Sequence, residues 1–116
     1  MSAYGMAHLR TVDFNEEIVE YLEKIDDTLP AYEGRFLVHG QLPEVADGTF
    51  EGVIVVIEFP DLERARGWYQ SEPYAAIAPL RINNSDGGAF VVQGVDADYK
   101  AAGFADFVRE QMAAAS

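Results

Sequence analysis

The sequence contains no cysteine. That removes disulfide staples, thiolate metal sites and a cysteine nucleophile, and it suits a reducing compartment, so the cytoplasm is the expected address. Basic residues are also scarce: eight Lys and Arg stand against twenty Asp and Glu, a formal net charge of −12. The cations Arg10, Lys24, Arg35, Arg64, Arg66, Arg81, Lys100 and Arg109 are scattered rather than clustered. A polyanion would meet a repulsive field, and nucleic acid is not an expected partner. No uncharged apolar run approaches the roughly 20 residues that cross a bilayer, so no membrane partner is expected either. The opening Met1-Ser2-Ala3-Tyr4-Gly5-Met6 lacks the basic-then-apolar pattern of an export signal. There is no His-x-x-x-His pair, nucleophile elbow, dinucleotide fingerprint or calcium-loop pattern. Metal, serine-hydrolase and nicotinamide chemistry therefore lack their usual residues, and no metal or cofactor is expected.

What is present suffices for one domain: 116 residues can bury a single core without staples. The spacing predicts a strand over Ala3 to Thr11, with Tyr4, Met6, His8 and Arg10 on one face and Ala3, Gly5, Ala7 and Leu9 on the other. Asp13 with Glu16 three residues on reads as a helix start, and Phe14, Ile18, Tyr21, Leu22, Ile25 and Leu29 recur at helical spacing to Pro30. Gly34 opens a second strand, Arg35 to His39. An irregular connection from Gly40 to Gly52 leads to Val53-Ile54-Val55-Val56-Ile57-Glu58-Phe59, a β-branched run that calls for burial on both faces. Pro60-Asp61 caps a helix through Leu62, Ala65, Trp68 and Tyr69, and Ser71-Glu72-Pro73 restarts one through Tyr74, Ala75, Ile77 and Leu80. Asn83 to Gly88 reads as a loop and Ala89 to Gly94 as the last strand.

The order β-α-β-β-α-β predicts an α+β, ferredoxin-like fold: a four-stranded antiparallel sheet with helices on one side. The domain is expected over residues 1–95, with 96–116 a helical extension carrying Phe104, Phe107, Val108 and Met112 along one side, docked on its own or a partner subunit. The third strand is too apolar to leave its second face in water, so a copy of the chain is expected there as a homodimer.

Gly34-Arg35-Phe36-Leu37-Val38, Val56-Ile57-Glu58-Phe59-Pro60, Ala65, Trp68-Tyr69, Ser71-Glu72-Pro73-Tyr74, and Arg81 before Val92-Gln93-Gly94 together resemble the uncharacterised domain family numbered 1330, of the dimeric α/β-barrel superfamily. The resemblance runs from about Tyr4 to Val95. Two features depart from the family pattern: Ser71-Glu72-Pro73 inverts its usual serine-proline-glutamate order, and the tail from Asp96 extends past its usual end. The resemblance implies a dimeric barrel and little about activity. Relatives across the superfamily look like cofactor-free monooxygenases, small isomerases and haem enzymes that use the cleft between sheet and helices.

His8 and His39, the only histidines, are the candidate proton-transfer groups. On one face they would stand two interstrand spacings apart, roughly 10 Å, too far for one metal but suited to opposite walls of a pocket. Arg35 and Arg81 are candidates for holding a carboxylate or enolate, or else for pairing with one of the many acids. Trp68, Tyr69 and Tyr74 are candidate substrate-binding walls, or plain core. Glu58 is a candidate base or an arginine partner. Asp86-Gly87-Gly88, with no lysine and no following helix, is a turn and not a phosphate cradle.

Three functional expectations follow. The first is a homodimer that binds a small aromatic or anionic metabolite in the cleft, as a cofactor-free isomerase or monooxygenase-like enzyme. The alternative is a non-catalytic binding or interaction module whose polar residues serve salt bridges and dimer contacts. Haem binding is third, and requires an axial histidine in the cleft.

Overall fold

Alternation along the first strand sets the arrangement of the whole molecule. In β1 (Ala3–Val12) the residues Ala3, Gly5, Ala7 and Leu9 point to one side, and Ala3 and Leu9 are buried there. The small side chains leave room for large ones from above. Phe59, from β3 (Val53–Phe59), lies opposite Ala3 and is fully buried. A Cβ on Gly5 would approach the Phe59 ring to 3.3 Å, and one on Gly34 would come within 2.6 Å of it. This computed structural model describes residues 1–115.

The remaining elements are α1 (Glu16–Ile25), two short 3-10 turns at Asp26–Thr28 and Pro30–Tyr32, β2 (Arg35–Val38), α2 (Leu62–Gln70), α3 (Glu72–Ile82), β4 (Ser85–Gln93) and α4 (Ala101–Ala115). The strands form one sheet in the order β2-β3-β1-β4, with every neighbouring pair antiparallel. That is the ferredoxin-like arrangement, an α+β fold, and α1, α2 and α3 lie over the sheet face that carries Ala3, Ile57 and Phe59.

Helix starts follow local capping chemistry. The Asp61 carboxylate accepts the Arg64 N–H at the head of α2, at 2.8 Å, and these contacts hold its carboxyl below the usual range, the Arg64 amide first. Ser71 ends α2 and starts α3: its hydroxyl donates to the Trp68 carbonyl and accepts the Tyr74 N–H. At α1 the cap is Asn15 and not the expected Asp13. Asn15 Oδ1 accepts the Ile18 N–H at 3.1 Å while its amide donates to Asn84, and Asp13 continues the extended chain through its own N–H to the Asn84 carbonyl. Phe14 therefore precedes the helix and is 92% exposed, outside the buried face of Ile18, Tyr21 and Ile25.

Two further differences concern the chain's later part. The stretch Ser85 to Gly88 is strand rather than loop, pairing with Val12, Thr11, Leu9 and His8 across a register shift. Glycine makes the pairing possible there: a Cβ on Gly87, at φ 156°, would meet the His8 carbonyl oxygen at 2.0 Å. The extension forms α4, but none of its described residues is buried, so it does not dock on its own subunit as one of the two expected placements had it. Phe104, Phe107, Val108 and Met112 remain exposed along it. No helix among the described residues is long and apolar enough to cross a membrane.

The sheet's second face is uncovered. Phe90 and Val92 are about half-exposed, and Tyr4, Met6, Ile54 and Val56 are partly exposed beside them. The register places these residues on that face: Met6 pairs with Val56 and Phe90, Tyr4 with Val92, and Ile54 with His8, two residues along β1 from Met6.

Candidate functional site

Between the helix-covered face of the sheet and helices α1 to α3 lies a cavity of about 450 Å³. Its floor is Gly5, Ala7 and Leu9 of β1 with Val53, Val55 and Ile57 of β3; its roof includes Ile18 and Tyr21 of α1, Trp68 and Tyr69 of α2, and Tyr74 and Arg81 of α3. The small residues of β1 thus serve two purposes. Toward Ala3 they are covered by Phe59 and Trp68; toward Leu9 nothing fills the space above them. Exposed Phe14 and Leu42 border the opening.

The aromatic wall is continuous. Trp68 and Tyr74 have ring centroids 4.2 Å apart, Tyr69 and Tyr74 5.2 Å, and Phe59 and Trp68 5.5 Å. Trp68 is fixed at its polar end: its indole N–H donates to Thr28 Oγ1 at 2.8 Å, and Thr28 donates to the Ile25 carbonyl at 2.7 Å. The hydroxyls of Tyr21 and Tyr74 are 2.8 Å apart, one donating to the other. Burial, and then the neighbouring Tyr74, push the Tyr21 phenol well above its ordinary range, so it stays neutral.

Arg81 joins this cluster from the last turn of α3, where a cation also suits the helix dipole. It is 6% exposed. Its Nη2 donates to the Tyr69 hydroxyl at a long 3.4 Å, and its Nε is the only buried side-chain nitrogen or oxygen among the described residues without a partner. No carboxylate among the described residues forms an ion pair with it. Burial works to lower the affinity of this guanidinium for its proton, but the oxygens of Tyr74, Tyr21 and Tyr69 outweigh it and the net shift is upward. It is a permanent positive charge in an apolar setting. Two neighbours anchor the backbone around it: Ser85 donates to the Arg81 carbonyl at 2.6 Å and Asn84 to the Leu80 carbonyl at 2.8 Å.

Of the residues singled out by sequence, His39, Trp68, Tyr69, Tyr74 and Arg81 border this cavity. Arg35 lies on the uncovered face, half of an ion pair with Glu58 at 2.8 Å, and Glu58 is thereby an arginine partner. His8 lies away from the cavity lining; its Nε2 is 2.8 Å from the Glu51 carbonyl and its ring stacks on Phe50 at 4.7 Å. The two histidines do not face each other across a pocket. A register shift between Phe36 and Val38 is the reason: Val38 pairs with Val56 where a regular strand would place Leu37. One extra residue reverses the faces that follow and turns His39 toward Phe36, 5.0 Å away, and the cavity. Sequence reasoning passed over Tyr21 as a functional residue. Its signal was a hydroxyl on the otherwise apolar buried face of α1.

No grouping of His, Asp or Glu among the described residues could hold a metal ion. Of the two histidines, His39, exposed past the end of β2, is the one that borders the cavity, and the buried end of the cavity carries phenols and a guanidinium.

Known structures share the fold. A protein of unknown function from Rhodopseudomonas palustris, RPA0582, superposes with a TM-score of 0.59 at 11% identity, covering 82% of this chain and 83% of its own. A dimeric ferredoxin-like protein of unknown function from Jannaschia sp. CCS1 gives 0.57 at 13% identity, covering 83% of this chain and 100% of its own. At these identities the likeness is one of fold. No curated protein matches the chain. Residues 2–95 match the family described as "Domain of unknown function (DUF1330)", and the chain belongs to that family.

Proposed function

We propose that this protein is a homodimeric binding domain whose cavity takes a small aromatic or anionic metabolite against Arg81, Tyr69, Tyr74 and Trp68. One observation carries the reading: a buried guanidinium without a counter-charge borders an otherwise largely apolar cavity of about 450 Å³. A buried charge is retained where something balances it, and no side chain among the described residues does so here. The volume falls in the ordinary range for small-molecule sites. Of the two imidazoles considered for proton transfer, His39 borders the space; binding does not require it, and no reaction is assigned.

The homodimer rests on the uncovered sheet face. Tyr4, Met6, Ile54, Val56, Phe90 and Val92 form an apolar surface that a second copy would bury by two-fold symmetry. The Jannaschia neighbour is described as dimeric. The apolar stripe of α4 would find its cover on the partner in the same assembly.

Amide and side-chain NMR with 3-phenylpropanoate tests the cavity. Shifts should concentrate on the Trp68 indole N–H, Tyr69 and Tyr74. Shifts confined to Ile54, Val56 and Val92 on the opposite face would refute it.

A further inference from the structure

Counting donors and acceptors around Arg81 narrows what the cavity can hold. A guanidinium donates at every nitrogen and accepts nothing, while each phenol has one hydrogen to give. Arg81, Tyr21, Tyr69 and Tyr74 therefore form a cluster rich in donors. The acceptors within it are the phenol oxygens alone, and one of those already takes the hydrogen shared between Tyr21 and Tyr74. Arg81 Nε has no acceptor at all, although it is buried. The missing partner is an acceptor that carries negative charge.

The charge of that acceptor is limited by its surroundings. One buried guanidinium neutralises one negative charge. Arg10, the other cation bordering the cavity, is already tied to Asp86 at 3.0 Å. The formal net charge of −12 penalises each additional negative charge that enters. A phosphate dianion is doubly disfavoured by this arrangement. A planar two-oxygen group, in contrast, fits the Nε and Nη edge of a guanidinium side-on, with two parallel hydrogen bonds. Beyond the cluster the lining is apolar, Ala7, Leu9, Ile18, Leu22 and Val55, leading to Phe14 at the opening. The molecule must present hydrocarbon there.

We infer that the cavity is built for a hydrophobic monocarboxylate, its carboxylate held by the guanidinium of Arg81 and met by a phenol hydrogen from the Tyr21–Tyr74 pair, its apolar body lying over Ala7 and Leu9. The inference rests on the cavity-binding reading above and adds the ligand's chemical class and orientation.

Calorimetric titration with matched probes tests it: 3-phenylpropanoate and octanoate as aromatic and aliphatic acids, 3-phenylpropanamide as the uncharged counterpart, and phenyl phosphate as the dianion. At least one acid should bind tenfold or more tightly than the amide, and phenyl phosphate should bind more weakly than 3-phenylpropanoate. Arg81→Gln should erase the preference for the acid, bringing acid and amide to within about threefold of each other. Arg81→Lys keeps a charge but loses the fork, so it should retain only part of the preference; this variant serves should the glutamine variant fail to fold. Equal binding of acid and amide would overturn the monocarboxylate while leaving the cavity as a binding site, and tighter binding of the phosphate would do the same. Binding of none of the four would remove both.

Discussion

The sheet has two faces of similar composition and opposite fate. The face under the helices places small residues on β1 beneath large ones on β3 and α2, and its arginine, Arg81, is buried without an acid. The other face carries Met6, Ile54, Val56 and Phe90 in the open, and its arginine, Arg35, is exposed and paired with Glu58. The difference teaches where to look for function. A charge that already has its partner at the surface contributes little, since exposed ion pairs are worth about 0–1 kcal/mol, whereas a buried charge without one implies a partner still to come. The uncovered face lacks only bulk, and another apolar surface supplies that.

Truncation should separate the two faces most strongly. Phe59→Ala, in the filled part of the covered face, is expected to cost about 3–5 kcal/mol in urea unfolding. Phe90→Ala should cost far less at protein concentrations where the chain is monomeric, and more as the concentration rises; a loss independent of concentration would argue that no second copy sits there. Next in size, Val56→Glu places a charge in the centre of the uncovered face and should weaken self-association at least tenfold in sedimentation experiments. A dimer of undiminished strength would move the interface elsewhere. The smallest effect belongs to Arg35→Ala, expected to change stability by less than about 1 kcal/mol because its ion pair is solvated. A larger loss would mean that the Arg35–Glu58 pair is buried against a partner.

Much of the architecture was legible because it rests on short-range patterns. The β-branched run 53–59, the Asp61 and Ser71 caps and the alternation in β1 each specify their element locally. Errors arose where two local signals compete. Asp13 and Asn15 both suit a helix cap, and only the tertiary bonds to Asn84 select Asn15. Gly87 and Gly88 read as a turn because glycine serves both turns and close strand contacts, and the deciding contact is with His8, near the other end of the sequence. The site was legible in part. Aromatic residues and an arginine on the second helical segment stood out, but that Arg81 lacks an acid depends on every other element's position. The register shift in β2, which sends His39 and His8 to different faces, has no mark in Arg35-Phe36-Leu37-Val38-His39.

The bareness of β1 carries a last consequence. Because Gly5 and Ala7 contribute almost no side chain to the floor beneath the aromatic wall, each methyl group added there would reduce the depth beneath the helices. Exchanging Ala7 for valine or leucine would shorten the available length stepwise without touching Arg81 or the phenols. The backbone pairing of β1 tolerates the exchange, so the volume under the aromatic wall can change while the polar cluster stays as it is.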